Sequence, residues 1–237
     1  SEPIYPSYIC SHMKSFYLLS LLSILSSSSL ATHLIGGEIT CKNLGTTENN
    51  DIRYRISVTL LRDCDGVPLA DNIEVGLYNN DSTNTLNQII SLSLPLKSFI
   101  DLSCGDSTSN LCVEWGLYQE IITVTPNTEG FILLFQTCCR NPSVNLIQGS
   151  SFPDQGFDLR CTIPPTAISN DNPPSEYIRL ACVNKTTYWD PFSSRDYDGD
   201  SLVYRAIKPH NGGSPANPNP LPPQPLPELK TVIYTST

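Results

Sequence analysis

Charged side chains are scarce in this chain. They make up 16% of its 237 residues, and acidic residues outnumber basic ones 23 to 14, for a formal net charge of −9. That balance disfavours a nucleic-acid backbone as partner and suits cations better. Histidine is scarcer still: His12, His33 and His210 are all there are. No H-E-x-x-H, G-x-S-x-G or P-loop string occurs, so no catalytic motif supports reading the chain as an enzyme. No C-x2-C pair occurs, which argues against a structural zinc site. Outside the N-terminal segment there is no helical stripe.

What is abundant is Ser, Thr, Asn and Pro, the hydroxyl-rich surface of many exported β proteins, together with nine cysteines. An odd cysteine count is awkward in a secreted chain, and the N-terminus resolves it. Met13-Lys14, the apolar "SFYLLSLLSIL" and the small residues Ser29 and Ala31 have the layout of a secretory signal over residues 13–31. Residues 1–12 read as an upstream extension. Cleavage after Ala31 removes Cys10 and leaves eight cysteines, and no transmembrane segment is expected in the mature chain. The alternative is a buried N-terminal helix.

Cys138 and Cys139 are adjacent at the end of an apolar run. On an extended segment they point to opposite faces, so they reach two different partners more readily than each other. This implies an oxidising compartment; the alternative is two buried free thiols. Eight cysteines allow 105 pairings; among them, Cys104 and Cys112 flank a polar loop that a bridge between them can close locally. Cys161 and Cys182 flank a Pro-rich loop. That leaves Cys41 and Cys64 for Cys138 and Cys139.

Past Ala31 the dominant period is two. "DIRYRISVTLLRD" puts Ile52, Tyr54, Ile56, Val58 and Leu60 on one face and Arg53, Arg55, Ser57 and Thr59 on the other. "NIEVGLYNN", "LNQIISLSLP", "LCVEWGLYQEIITVTP" and "EGFILLFQTCC" continue the series, separated by Asp65-Gly66, "NNDSTN", Pro95 and "PNTEG". Short strands at this spacing predict an all-β, immunoglobulin-like sandwich, stapled by disulfides, over residues 32–165. Weaker strands are expected at "SEYIRLACV" and "DSLVYRAI". Residues 208–227 hold eight prolines. Residues 166–237 read as the start of a second, incomplete β-sandwich.

One constellation has the chemistry of a cation site. In "RDYDGDSLVY", Asp196, Asp198 and Asp200 alternate around Gly199, with Asp190 six residues earlier. Carboxylates so placed can converge on calcium; a plain acidic turn is the equal alternative. An EF-hand is excluded, because Ile207 stands where its bidentate Glu belongs. Arg140-Asn141 suggests an anion site less readily than an ordinary ion pair. Trp115 and Trp189 are candidates for a sugar platform, although Trp115 follows its strand's alternation and suits a core or inter-strand role better.

"HLIGGEITC", "YRISVTLLRDCDGVPL", "CCRN" and "DYDGDSLVY" together resemble the N-terminal region of large bacterial surface proteins associated with gliding motility and adhesion. The resemblance covers most of residues 33–204. It implies repeated immunoglobulin-like domains of PKD or cadherin type, no catalytic residues, and a Pro-rich loop within the second domain. In that family the aspartate motif usually reads D-P-D-G-D; Tyr197 here replaces the proline. The expectation is a secreted or cell-surface adhesive protein that binds a surface polysaccharide or a protein ligand. The rival expectation is a carbohydrate-binding module or the accessory region of a secreted hydrolase.

Overall fold

The computed structural model describes residues 34–103, 110–138, 156–165, 171–174, 194, 196–203 and 213, all within the unit Ala31–Thr237. Seven strands follow in order: β1 Leu34–Thr46, β2 Ile52–Asp63, β3 Asn72–Asn79, β4 Leu86–Ser103, β5 Asn110–Val124, β6 Phe131–Cys138 and β7 Gly156–Ile163. Among the described residues there is no helix, hence none long and apolar enough to cross a membrane.

Strand β2 shows why the sheet forms. Its β-branched and aromatic residues alternate with polar ones, and Ile52, Tyr54, Ile56, Val58 and Leu60 are all buried. It lies between β1 and β5, with Cys41 opposite Ile56 on one side and Tyr118 opposite Val58 on the other. All pairings are antiparallel, in the order β1-β2-β5-β4-β3-β6-β7. The two edge strands, β1 and β7, approach each other, so the sheet curls almost into a barrel around one core. Leu77, Leu92, Leu133 and Tyr118 are fully buried in that core. Each fully buried Leu side chain contributes about 1.5–3 kcal/mol. On the other face of β3 and β6, Tyr78, Ile132 and Leu134 form a second, smaller apolar cluster.

Two details differ from the sequence reading. Pro95 does not end a strand. Strand β4 runs through it for 18 residues, and the ladder with β5 absorbs it as a bulge between Ser93 and Leu96. A proline lacks the N–H that regular pairing needs, and a bulge leaves that position unpaired. Ser201–Val203, placed in the expected strand "DSLVYRAI", are not in a strand. The rest of that segment, and "SEYIRLACV", lie outside the described residues.

One end of the core is polar. Arg62 and Glu114 lie on the inward faces of β2 and β5, opposite each other in register, and are 5% and 4% exposed. Arg62 Nε donates to Glu114 Oε2. Its Nη1 donates to the carbonyls of Asp63, Cys64 and Gly66 at 2.9, 3.1 and 2.7 Å. The guanidinium therefore closes both an ion pair and the turn after β2.

Candidate functional site

The aspartate motif folds back on itself and then onto β1. Asp198 N donates to Asp196 Oδ1 at 2.8 Å, and Asp200 N to Asp196 Oδ2 at 3.2 Å. This is an Asx-type turn, and Gly199 supplies the left-handed residue it needs, with φ +88°. Asp198 Oδ2 in turn accepts from Asp171 N at 2.6 Å. Asp171 Oδ1 accepts from Asn43 N at 2.6 Å, and its other oxygen lies 3.9 Å from Lys42 Nζ. A chain of carboxylate-to-amide bonds thus anchors residues 196–200 to strand β1 through Asp171.

The structure therefore brings Asp196, Asp198 and Asp200 together and adds Asp171, which the sequence reading did not single out. The faint signal was Asp171-Asn172 directly before Pro173-Pro174, since a residue before proline is held extended and can present its amide to a strand edge. Asp190 lies outside the described residues. The donor chemistry is right for a hard cation. In the geometry seen, however, both Asp196 oxygens, Asp198 Oδ2 and Asp171 Oδ1 are turned to backbone amides, and Asp171 Oδ2 lies toward Lys42. Among the described residues, no group of three or more His, Cys, Asp or Glu side chains is arranged to hold a metal ion.

Beneath this loop lies a groove of about 310 Å³. Its floor is the outward face of three strands: Glu38, Thr40 and Lys42 from β1, Arg55, Ser57 and Thr59 from β2, and Leu117 and Gln119 from β5. Strand register sets them in rows. Thr40, Ser57 and Gln119 stand side by side, and Lys42 stands beside Arg55. Gln119 Nε2 donates to Ser57 Oγ at 2.9 Å. Asp171–Pro174 and Asp196-Tyr197 line the other wall. Tyr197 is 63% exposed there. Hydroxyls, an amide, both signs of charge and one open aromatic ring thus share one concave surface.

The cysteines depart from the expected pairing. Cys64 is bonded to Cys112, with Cα atoms 5.4 Å apart, and neither is paired with Cys104, Cys138 or Cys139. Strand β5 begins at Asn110, so Cys112 already lies in the ladder. Asp63 pairs with Val113, which puts Cys64 opposite Cys112, and Cys64 N donates to Cys112 O at 3.2 Å. Cys41 and Cys161, both expected in disulfides, are free and buried. Cys41 lies in the middle of β1. Burial, then the Cys161 thiol and the Asp171 carboxylate, push the Cys41 thiol well above its ordinary range. Burial pushes Cys161 up to about 12. Cys138 ends β6, while Cys104, Cys139 and Cys182 lie outside the described residues, as do Arg140, Asn141 and Trp189. Trp115 is half-buried on β5, with Leu61 and Ser98 as its strand neighbours. No protein-family model, no curated protein and no solved structure matches this chain.

Proposed function

We propose that this chain is a non-catalytic adhesive module of a secreted or cell-surface protein, built as an immunoglobulin-like sandwich, whose groove over β1, β2 and β5 holds a surface polysaccharide. The observation that carries this reading is the groove's lining. Thr40, Ser57, Thr59, Gln119 and Arg55 offer donors and acceptors on a rigid sheet face, and Tyr197 stands exposed at the wall. Sugars are bound by such combinations of planar polar groups and an aromatic face. The disulfide Cys64–Cys112 suits an oxidising, extracellular setting. The sequence resemblance to surface proteins linked to gliding motility and adhesion agrees with this, as does the absence of any catalytic motif. In this reading residues 166–237 begin a second, PKD- or cadherin-like unit.

Calcium belongs to the same proposal. Asp171 and Asp196 line the groove wall, Asp198 and Asp200 follow in the turn that Asp196 caps, and the Lys42 ammonium is 3.9 Å from Asp171 Oδ2. A divalent cation would offset their repulsion and stiffen the wall. The test is titration calorimetry of the full chain against bacterial exopolysaccharides, in millimolar calcium and in chelator. Binding is expected in calcium, weaker by tenfold or more in Arg55→Ala and in Tyr197→Ala, and weaker in chelator or in Asp198→Asn. Binding that ignores both groove substitutions sinks the groove as the site. Binding that is identical in calcium and chelator removes calcium and leaves the groove.

A further inference from the structure

Cys41 sits on edge strand β1 and Cys161 on edge strand β7, at the two ends of the sheet order. Both face the same core, at 3% and 5% exposure. The edges they occupy are those that approach each other as the sheet curls. One residue bridges the gap. Asn172 N donates to Cys41 O at 3.0 Å, and Asn172 Oδ1 accepts from Cys41 N at 3.2 Å. The same oxygen accepts from Cys161 Sγ at 2.7 Å, and Asn172 Nδ2 donates to Thr162 O at 3.4 Å. Two contacts meeting at one oxygen place Cys161 Sγ no more than about 6 Å from the Cys41 nitrogen, so the two cysteines flank one side chain at the seam, their sulfurs unbonded in this structure.

We infer that Cys41 and Cys161 form a second disulfide, one that locks β1 to β7 across the seam where the sheet's edges meet. The reaction balances with a small-molecule disulfide as oxidant. One cysteine thiolate attacks it, releasing one thiol and leaving a mixed disulfide. The second cysteine then displaces the other half as a second thiol. The protein loses two protons and two electrons, and the oxidant's S–S bond is reduced. Because burial holds both thiols protonated in the closed fold, the exchange runs while the chain is still open, before the seam shuts. Formation of Cys64–Cys112 shows that the same chain accommodates oxidised cysteines on paired elements.

The experiment is a disulfide map of the full chain refolded from the reduced state in a glutathione redox buffer. The protein is denatured without reduction, blocked with N-ethylmaleimide, digested with trypsin and read by mass spectrometry. Trypsin cuts after Lys42 and after Arg160, so a peptide ending just past Cys41 should appear joined to one beginning at Cys161. Peptide 63–97, which carries Cys64, joined to peptide 98–140, which carries Cys112 with Cys104, Cys138 and Cys139, is the internal control. A Cys41→Ser chain should gain one maleimide-reactive thiol over the wild type, assigned to Cys161. The inference is overturned if Cys41 is joined to Cys138 or Cys139, if Cys161 is joined to Cys182, or if both are alkylated. It is equally overturned if Cys161 stays blocked in Cys41→Ser. The wild-type map decides the matter even if the variant fails to fold.

Discussion

Removing the Glu114 carboxylate tests whether the polar end of the core is held by a truly buried ion pair. Glu114→Ala leaves the Arg62 guanidinium at 5% exposure without its counter-charge. Breaking one side of a buried pair costs about 3–5 kcal/mol. Here the cation keeps three carbonyl acceptors on Nη1, and only the Nε donor loses its carboxylate. The loss should therefore lie near the lower limit, about 3 kcal/mol. With a urea m-value of about 2 kcal/mol/M, the unfolding midpoint should fall by about 1.5 M at unchanged m. The double variant Arg62→Met with Glu114→Leu removes both charges together. It should recover most of that loss, since well-packed apolar replacements of buried pairs are often neutral or stabilising. Its three former carbonyl partners sit in a turn that water reaches, at residues 63–66. Urea unfolding with the disulfides intact measures all the variants. A shift of less than about 0.5 kcal/mol in Glu114→Ala, or a double variant no more stable than Glu114→Ala, refutes the buried-pair account.

Tyr118 carries a pH signature. Burial first, then the Glu114 and Asp71 carboxylates, raise its phenol from 10.0 to about 12. A raised folded-state value means the stabilisation is complete below the unfolded value of 10.0 and is lost as pH climbs toward 12. Tyr118→Phe should cost about 1 kcal/mol at neutral pH, by deleting the O–H···O bond to Ala70, and should lack the Tyr118 share of the alkaline loss. Urea midpoints at about pH 9 and about pH 11 check this, and parallel decline in the two proteins refutes it. Opening Cys64–Cys112 by double alanine substitution removes a link across 48 positions and should lower stability by about 4 kcal/mol on loop-closure grounds. A loss below about 1 kcal/mol in denaturant melts would show that the unfolded chain gains little freedom.

The sequence revealed elements wherever one face is buried and the other wet. In β2 the alternation from Ile52 to Leu60 appears unchanged in the burial pattern, because period two and burial are the same fact in a half-buried sheet. It failed where position in the sheet, rather than local pattern, decides. Strand β7 alternates as well, with Phe157, Leu159, Cys161 and Ile163 toward the core and Asp158, Arg160 and Thr162 away from it, but it is only eight residues long and runs into Pro164-Pro165, and its pairing with β6 is what makes it a strand. Pro95 carries a turn signal in sequence, yet the ladder around it is strong enough to turn it into a bulge. Cysteine partners are set by register: nothing local to Cys64 says that β5 will lie beside β2 rather than β3. The aspartate motif was visible from its spacing. The anchor Asp171 was not, because it comes 25 residues earlier in the chain and is joined to the motif only through tertiary contacts.

That anchor ties the groove to the seam. Asp171 holds the aspartate loop against β1, while its neighbour Asn172 bonds to Cys41, Cys161 and Thr162 across the gap between β1 and β7. Two adjacent residues followed by two prolines have little freedom to move independently. Swinging the groove wall outward by more than a bond length therefore means breaking the Asn172 bonds at the seam as well. Under the proposed function, a wall so fixed would give a ligand a preformed surface, and binding would have less ordering entropy to overcome. If a disulfide also joins Cys41 to Cys161, the strand edges on which Asn172 rests cannot separate, and the rigidity of the groove wall follows from covalent structure as well as from hydrogen bonds.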